Sequence, residues 1–383
     1  MQHSLDRILT THTGSLPRPG RLLELLKKKD DSQPLEAAEF DIAVRDGVKE
    51  VVRRQIECGL DIVNDGEMGK IGYATYVKDR LNGFAAEGGF PPMADVMEFP
   101  EFAQRMIADE GLRTLKTPAC NGPITWKDRE AAQKDIGIFT EGLKGLKPTD
   151  TFMTAASPGV IALFLENKYF PSHEKYIEAL AVAMKDEYDA IHKAGFVLQL
   201  DCPDLAVGRH TRFASANIED FRKIVALHVD AINHAISDIP ADRVRLHLCW
   251  GNYEGPHHHD VPLRQIIEPV LKAKVGAISF EGANPRHEHE WAVFKEVKLP
   301  PDKVIIPGVI DSSTNYIEHP DVVADRIVRF AEVVGRENVI AGTDCGFATF
   351  AAYLPIDPSI AWAKLRTLAD GARIASERLW QNR

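Results

Sequence analysis

The chain has 383 residues, 44% hydrophobic and 27% charged, the balance of a soluble globular protein with ample core. A net charge of −10 with no basic stripe argues against a nucleic-acid partner, and no run approaches the ~18 apolar residues of a membrane span. The opening MQHSLDRILTT lacks the apolar stretch of a signal peptide, and five scattered cysteines make a poor disulfide framework, so a reducing, cytoplasmic address is expected.

Short β-rich runs alternate with long amphipathic patterns. The expected strands are Ile8–Thr13, Asp61–Asn64, Thr117–Ile124, Phe196–Leu200, Val244–Cys249, Ala277–Phe280, Val304–Val309 and Val339–Thr343. Helical patterns such as LEAAEFDIAVRDGVKEVVRRQIECG and HEKYIEALAVAMKDEYDAIHKAG end in Gly59 and Gly195, the usual stop. Eight strands separated by helices predict an α/β fold, a (β/α)8 TIM barrel forming one domain over 1–383. Two insertions are expected: a Gly/Pro-rich excursion over 69–116 after strand two, and a mostly helical one over 127–175 after strand three.

In such a barrel, chemistry collects where strands end. Those ends carry Thr13-Gly14-Ser15, Asp65-Gly66-Glu67, Asp201, the pair His247 and Cys249, Glu281, Asp311 and, just past the last strand, Cys345. Residues i and i+2 of a strand point to one side, so His247 and Cys249 can converge, and Cys345 adds a second sulfur. Such a soft nitrogen–sulfur set suits Zn2+. Plainer alternatives stand beside each: a buried strand with an inert Cys, a helix-capping Asp201, a turn at Glu67, a surface carboxylate at Glu281, a loop brace at Asp311. His257-His258-His259 reads as a polar loop, because consecutive side chains diverge, and His287 and His289 as a solvated one.

Taken together, Thr-His-Thr-Gly-Ser15-Leu-Pro, Asp-Gly-Glu67-Met, Leu-Gln-Leu-Asp201-x-Pro, His247-x-Cys249, Phe-Glu281, Gly-Val-Ile-Asp311 and Asp-Cys345-Gly run in order along the chain. In this the sequence resembles the C-terminal catalytic barrel of the cobalamin-independent methionine synthases. The resemblance implies Zn2+ held by His247, Cys249, Glu281 and Cys345, a substrate amino group meeting Glu67 and Asp201, and a carboxylate near Ser15. It also implies folate stacking at Trp126, for which a buried core Trp is the comparable alternative, and marks Asp311 as the catalytic candidate. The implied activity is methyl transfer to a thiol, homocysteine first, of the 5-methyltetrahydropteroyltriglutamate–homocysteine S-methyltransferase type. The donor would be a methyl-folate or a methyl-corrinoid, and assembly into a homo-oligomer is left open.

Three departures bear on this. The chain lacks the N-terminal half of the long family members, Cys202 replaces a carboxylate after Asp201, and Ser312-Ser313 replaces the proton-relaying His that commonly follows Asp311. The short epoxyalkane:coenzyme M transferases use the same zinc–thiolate logic and form the alternative. Their sulfonate would need cations, for which Arg18, His210, Arg212 and Arg286 are the candidates. A non-catalytic metal-binding protein is the third reading.

Overall fold

The computed structural model describes residues 1–109, 116–351 and 353–380. Its strands are β1 (Leu9–Thr10), β2 (Ile62–Val63), β3 (Leu81–Ala86), β4 (Ala119–Trp126), β5 (Asp150–Ala156), β6 (Val197–Asp201), β7 (Val244–Leu248), β8 (Ala277–Phe280), β9 (Val304–Ile310) and β10 (Ile340–Thr343). Eight of them form one parallel sheet in the order β1-β10-β9-β8-β7-β6-β5-β2. The two ends of that sheet meet where the Asp61 N–H donates to the Thr10 carbonyl at 3.2 Å and the Thr11 hydroxyl to the Ile62 carbonyl at 3.3 Å. The result is a nearly closed TIM barrel, as the alternation of strands and helices predicts.

Helices over Ala37–Glu57, His173–Lys193, Ile218–Ala235, Leu263–Val270, Pro320–Val334 and Pro358–Trp380 pack their apolar faces on the outside of the sheet. Local sequence fixes their ends. The Ser172 hydroxyl and the Asn217 side chain accept from backbone N–H groups of Lys175 and Asp220, and Gly59 and Gly195 follow the helices at φ 88° and 89°. After β8 the helix shrinks to a 3-10 turn, Glu290–Lys295. No helix of the described residues is long and apolar enough to cross a membrane.

The third barrel strand differs from expectation. The segment expected there, 117–124, forms part of β4, which pairs antiparallel with β3 outside the barrel. The barrel's third strand is β5, inside the stretch 127–175 read as a helical insertion. Burial explains the exchange. β4 alternates between exposed and half-buried positions along its outer part, the period-2 signal of a half-covered hairpin. β5 is covered on both faces beyond Thr151, so Phe152 to Ala156 show no alternation and resemble helix in composition. The chain therefore makes one long excursion, 64–149, between β2 and β5, and the insertion after strand three is not found there.

Inside the barrel, Leu9, Ile62, Phe152, Val197, Val304 and Ile340 form a compact apolar layer. Above it lies Arg245, almost wholly buried, its guanidinium 3.5 Å from the centre of the Phe152 ring. It donates to Gln199 Oε1 at 2.7 Å, Thr11 Oγ1 at 3.0 Å and the His12 carbonyl at 2.7 Å, and burial pushes its pKa down to about 9. This polar layer is the platform on which the strand ends stand.

Candidate metal centre and substrate cavity

β7 lies between β6 and β8, with His247 opposite Asp201 on one side and Ser279 on the other. The His247 ring sets Nδ1 3.3 Å from the Ser279 hydroxyl, which leaves Nε2 buried with no hydrogen-bond partner. Burial pushes the imidazole down to about 3, so it is neutral and offers a lone pair. One strand-step on, Cys249 projects to the same side, its sulfur 3.7 Å from that of Cys345. The ligand atoms of His247, Cys249 and Cys345 all lie within 4.8 Å of one another.

This trio fits a zinc ion. Two sulfurs at about 2.3 Å from a tetrahedral centre stand about 3.8 Å apart, close to the spacing observed, and a buried nitrogen without a partner is costly unless something accepts its lone pair. The contact between the two thiols, together with burial, pushes Cys249 well above the ordinary thiol range. A dication in their midst reverses that balance and favours the thiolates.

Glu281 is near but not among the converging atoms. Its Oε1 accepts from the Trp250 N–H at 2.7 Å, and its Oε2 from Asn284 Nδ2 at 2.8 Å and Arg286 at 2.7 Å. Burial raises its pKa, but Arg286 and His287 outweigh that and hold it below the usual range. Asp344, beside Cys345, fastens this region. Its carboxylate accepts from the N–H groups of Gly282, Ala283 and Asn284 at 2.8–2.9 Å and from Asn284 Nδ2 at 2.7 Å.

The His247–Cys249–Cys345 trio shares a cavity of about 400 Å³ with Thr13, Ser15, Glu67 and Asp201. Glu67 is buried, with Oε1 accepting from Thr154 at 3.0 Å and Oε2 lacking any partner. Gln199 donates to Asp201 Oδ1 at 2.7 Å, and Arg245 holds Gln199, so the barrel's polar layer aims this carboxylate. Burial, reinforced by their mutual repulsion at Asp201, raises the pKa of both. Gly14 (φ 149°) lets the chain pass the pair, since a Cβ there would come 2.6 Å from Glu67 Oε1. Gly346 does the same for Ser15, whose hydroxyl would stand 2.1 Å from an added Cβ.

Two expected site residues are elsewhere. Trp126 closes the β3–β4 hairpin and lines a small outer cleft with Arg129 and Asp186, because its strand is not a barrel strand and does not end at the cavity. Asp311 is a loop brace, accepting from Ser313 Oγ at 2.7 Å and from the Thr314 hydroxyl, and it does not line the cavity. The four candidate sulfonate cations are also occupied. Arg18 donates to the carbonyls of Ala348, Glu67 and Lys70, Arg212 to that of Leu163, Arg286 to Glu281 and Asp260, and His210 faces Asp260. No lysine or arginine lines the cavity among the described residues.

The cavity mouth was missed by sequence reasoning. It is apolar, built from Tyr73, Phe90, Phe164 and Phe350, whose rings stand 5.3–6.0 Å apart, and from methionines of the excursion. Asn284 and Gln199 were missed as well. The latter had a signal, since Gln199 lies two residues before Asp201 on one strand and so on the same side.

The family model for the catalytic domain of cobalamin-independent synthases matches residues 164–357. A methionine synthase of Pyrococcus furiosus is 25% identical over 95% of this chain and 91% of its own length. One of Saccharolobus solfataricus is 24% identical over 98% and 97%. Among solved structures, a B12-independent methionine synthase from Shewanella sp. W3-18-1, in complex with selenomethionine, superposes with a TM-score of 0.75 at 19% identity, covering 98% of this chain and 99% of that one.

Proposed function

The chain belongs to the cobalamin-independent synthase catalytic-domain family, and from that premise we propose that it transfers a methyl group to the sulfur of homocysteine in a zinc-dependent reaction. The observation that carries this reading is the joining, in one cavity, of a converging His247–Cys249–Cys345 trio and a buried carboxylate pair with an unpartnered oxygen. Relatives named methionine synthase, matched over nearly their whole length, support it.

The trio would hold the metal and leave a fourth tetrahedral position, the open arrangement of a catalytic rather than a structural site. Zinc bound there would lower the pKa of a substrate thiol, ordinarily ~8.5, and so supply a nucleophilic sulfur at neutral pH. Glu281, engaged by Trp250, Asn284 and Arg286, would be the carboxylate to complete the metal's shell when no thiol is present. Glu67 and Asp201 bind the ammonium of the amino acid, giving two anions to one cation. That fixes the sulfur's direction and rejects thiols lacking the amine. Ser15, held against Gly346, offers its hydroxyl to the carboxylate.

Among the described residues a sulfonate thiol finds no fixed cation in this cavity, which favours the amino-acid substrate over the epoxyalkane:coenzyme M alternative. The apolar mouth suits a donor presenting its methyl from an uncharged body, a methyl-corrinoid or a folate without a long anionic tail. Buried free thiols at Cys249 and Cys345 fit the reducing cytoplasm.

The test is methionine formation from homocysteine by the zinc-loaded chain with methyl-folate and methyl-corrinoid donors in parallel. Loss of turnover on chelation and its return with Zn2+ are expected. Full activity of metal-free protein, or calorimetric binding of coenzyme M in preference to homocysteine, overturns the proposal.

A further inference from the structure

The run His257-His258-His259 has no part in the reaction, yet its side chains are arranged. His257 takes a left-handed backbone (φ 53°) and turns inward, its Nε2 2.9 Å from the Tyr253 carbonyl and Arg286 2.6 Å from its Nδ1. That turn throws the next two rings outward together. Nε2 of His258 lies 2.9 Å from one oxygen of Glu98, and Nε2 of His259 lies 2.5 Å from the other. The ligand atoms of all three residues fall within 4.8 Å of one another, and all three are exposed.

Glu98 belongs to the excursion, just past the helix Ala94–Met97 and before the helix Pro100–Ala108. This segment supplies Phe90, Met93, Val96, Met97, Met106 and Ile107 to the cavity mouth. Further fastenings of this segment run to the same loop after β7. The Asp95 carboxylate accepts from the Tyr253 hydroxyl at 2.7 Å and the His257 N–H at 2.9 Å, and Phe99 meets the His258 ring edge-on at 5.6 Å. The histidines thus join the roof of the cavity to the loop that begins at Cys249.

We propose that Glu98, His258 and His259 form a second metal site, for a divalent ion of the zinc, nickel or copper class, which clamps the excursion over the cavity. Two imidazoles and a carboxylate suit borderline ions and not Mg2+ or Ca2+, which take oxygen shells. In a tetrahedral zinc shell, ligand atoms at about 2.0–2.1 Å from the ion stand about 3.3 Å apart, so the observed spacings need only small outward adjustment. The two histidines come from the barrel rim and the carboxylate from the excursion, so an ion held by all three must be released before the roof lifts.

The experiment compares zinc stoichiometry and amide hydrogen exchange in the full chain and in a His258→Ala/His259→Ala variant. These exposed positions lie outside the core, and their loss leaves the cavity trio intact. Wild type is expected to bind one more equivalent of Zn2+ than the variant, whatever the cavity itself binds. Ion at 100 times its Kd should slow exchange over 93–108 by up to about 100-fold in wild type alone, with Mg2+ without effect. Glu98→Gln keeps both imidazoles and should abolish the slowing even where weak binding survives. Equal stoichiometry in the two chains overturns the site, and an extra equivalent with unchanged exchange overturns the clamp.

Discussion

At the floor of the cavity, polar groups hang from strand ends locked between neighbouring strands. At its mouth, aromatic rings and methionines come from the excursion and from Phe164 and Phe350, which follow two of the barrel strands. Each donor at the floor has a supporting partner: Ser279 for His247, Gln199 and Arg245 for Asp201, Thr154 for Glu67, Asp344 for the loop around Asn284. Among the described residues the mouth has area and no charge. Under the proposed function the difference teaches that recognition of the thiol and admission of the donor are separable, the first resting on fixed electrostatics and the second on apolar fit.

The sharpest break in that comparison removes a sulfur from the floor. Cys345→Ser should lower turnover by roughly 10³-fold or more, the scale of losing an essential group, and release zinc measurable by chelator competition, with the fold intact by circular dichroism. Glu67→Gln or Asp201→Asn should lower kcat/KM for homocysteine about 100-fold, the size of truncating one side of a buried ion pair. Turnover of a thiol without the amine, such as 3-mercaptopropanoate, should stay unchanged.

The pH profile sharpens the same point. Burial raises both carboxylate pKa values, so each keeps its proton to higher pH than an exposed acid would, and an ammonium binds the deprotonated form. The KM for homocysteine should therefore rise as pH falls through the raised values, by up to about tenfold per proton and pH unit, while that of the amine-free thiol does not follow. The folding contribution runs the opposite way, because the raised values mean that the folded chain holds these protons more tightly than the unfolded one. It is fully present below the unfolded carboxylate pKa and lost as pH rises through the folded one. The smallest effect belongs to the mouth: Met97→Arg should leave homocysteine binding unchanged and improve the rate with an anionic, polyglutamylated donor by about threefold, through one screened charge.

The floor was largely legible in the sequence. His247 and Cys249 stand out by two-residue spacing, and Glu67 and Asp201 by following runs expected to be barrel strands, although a turn and a helix cap are the plainer readings of the latter two. The mouth was not legible, because apolar residues in a Gly/Pro-rich loop carry no period to say what they face. β5 was obscured for a related reason, since a strand covered on both sides loses its alternation, while β4 showed alternation and lay outside the barrel. Glu281 and Asp311 were placed at the correct strand ends, yet what their oxygens touch depends on Arg286, Asn284 and Thr314, and no spacing rule reaches that far. The outward pairing of His258 and His259 was hidden too, because it depends on the left-handed turn at His257.

Glu67 itself sits at φ 56°, in a region of backbone space that side chains other than glycine's enter at a cost of about 1–2 kcal/mol. Replacing it with glycine should therefore yield a chain that melts later, by about 1 kcal/mol after the added freedom of the unfolded state is deducted, and that no longer grips an amino acid. Selection for thermal endurance alone would erase this carboxylate, and the amine-binding role proposed for it is what would repay the lost durability.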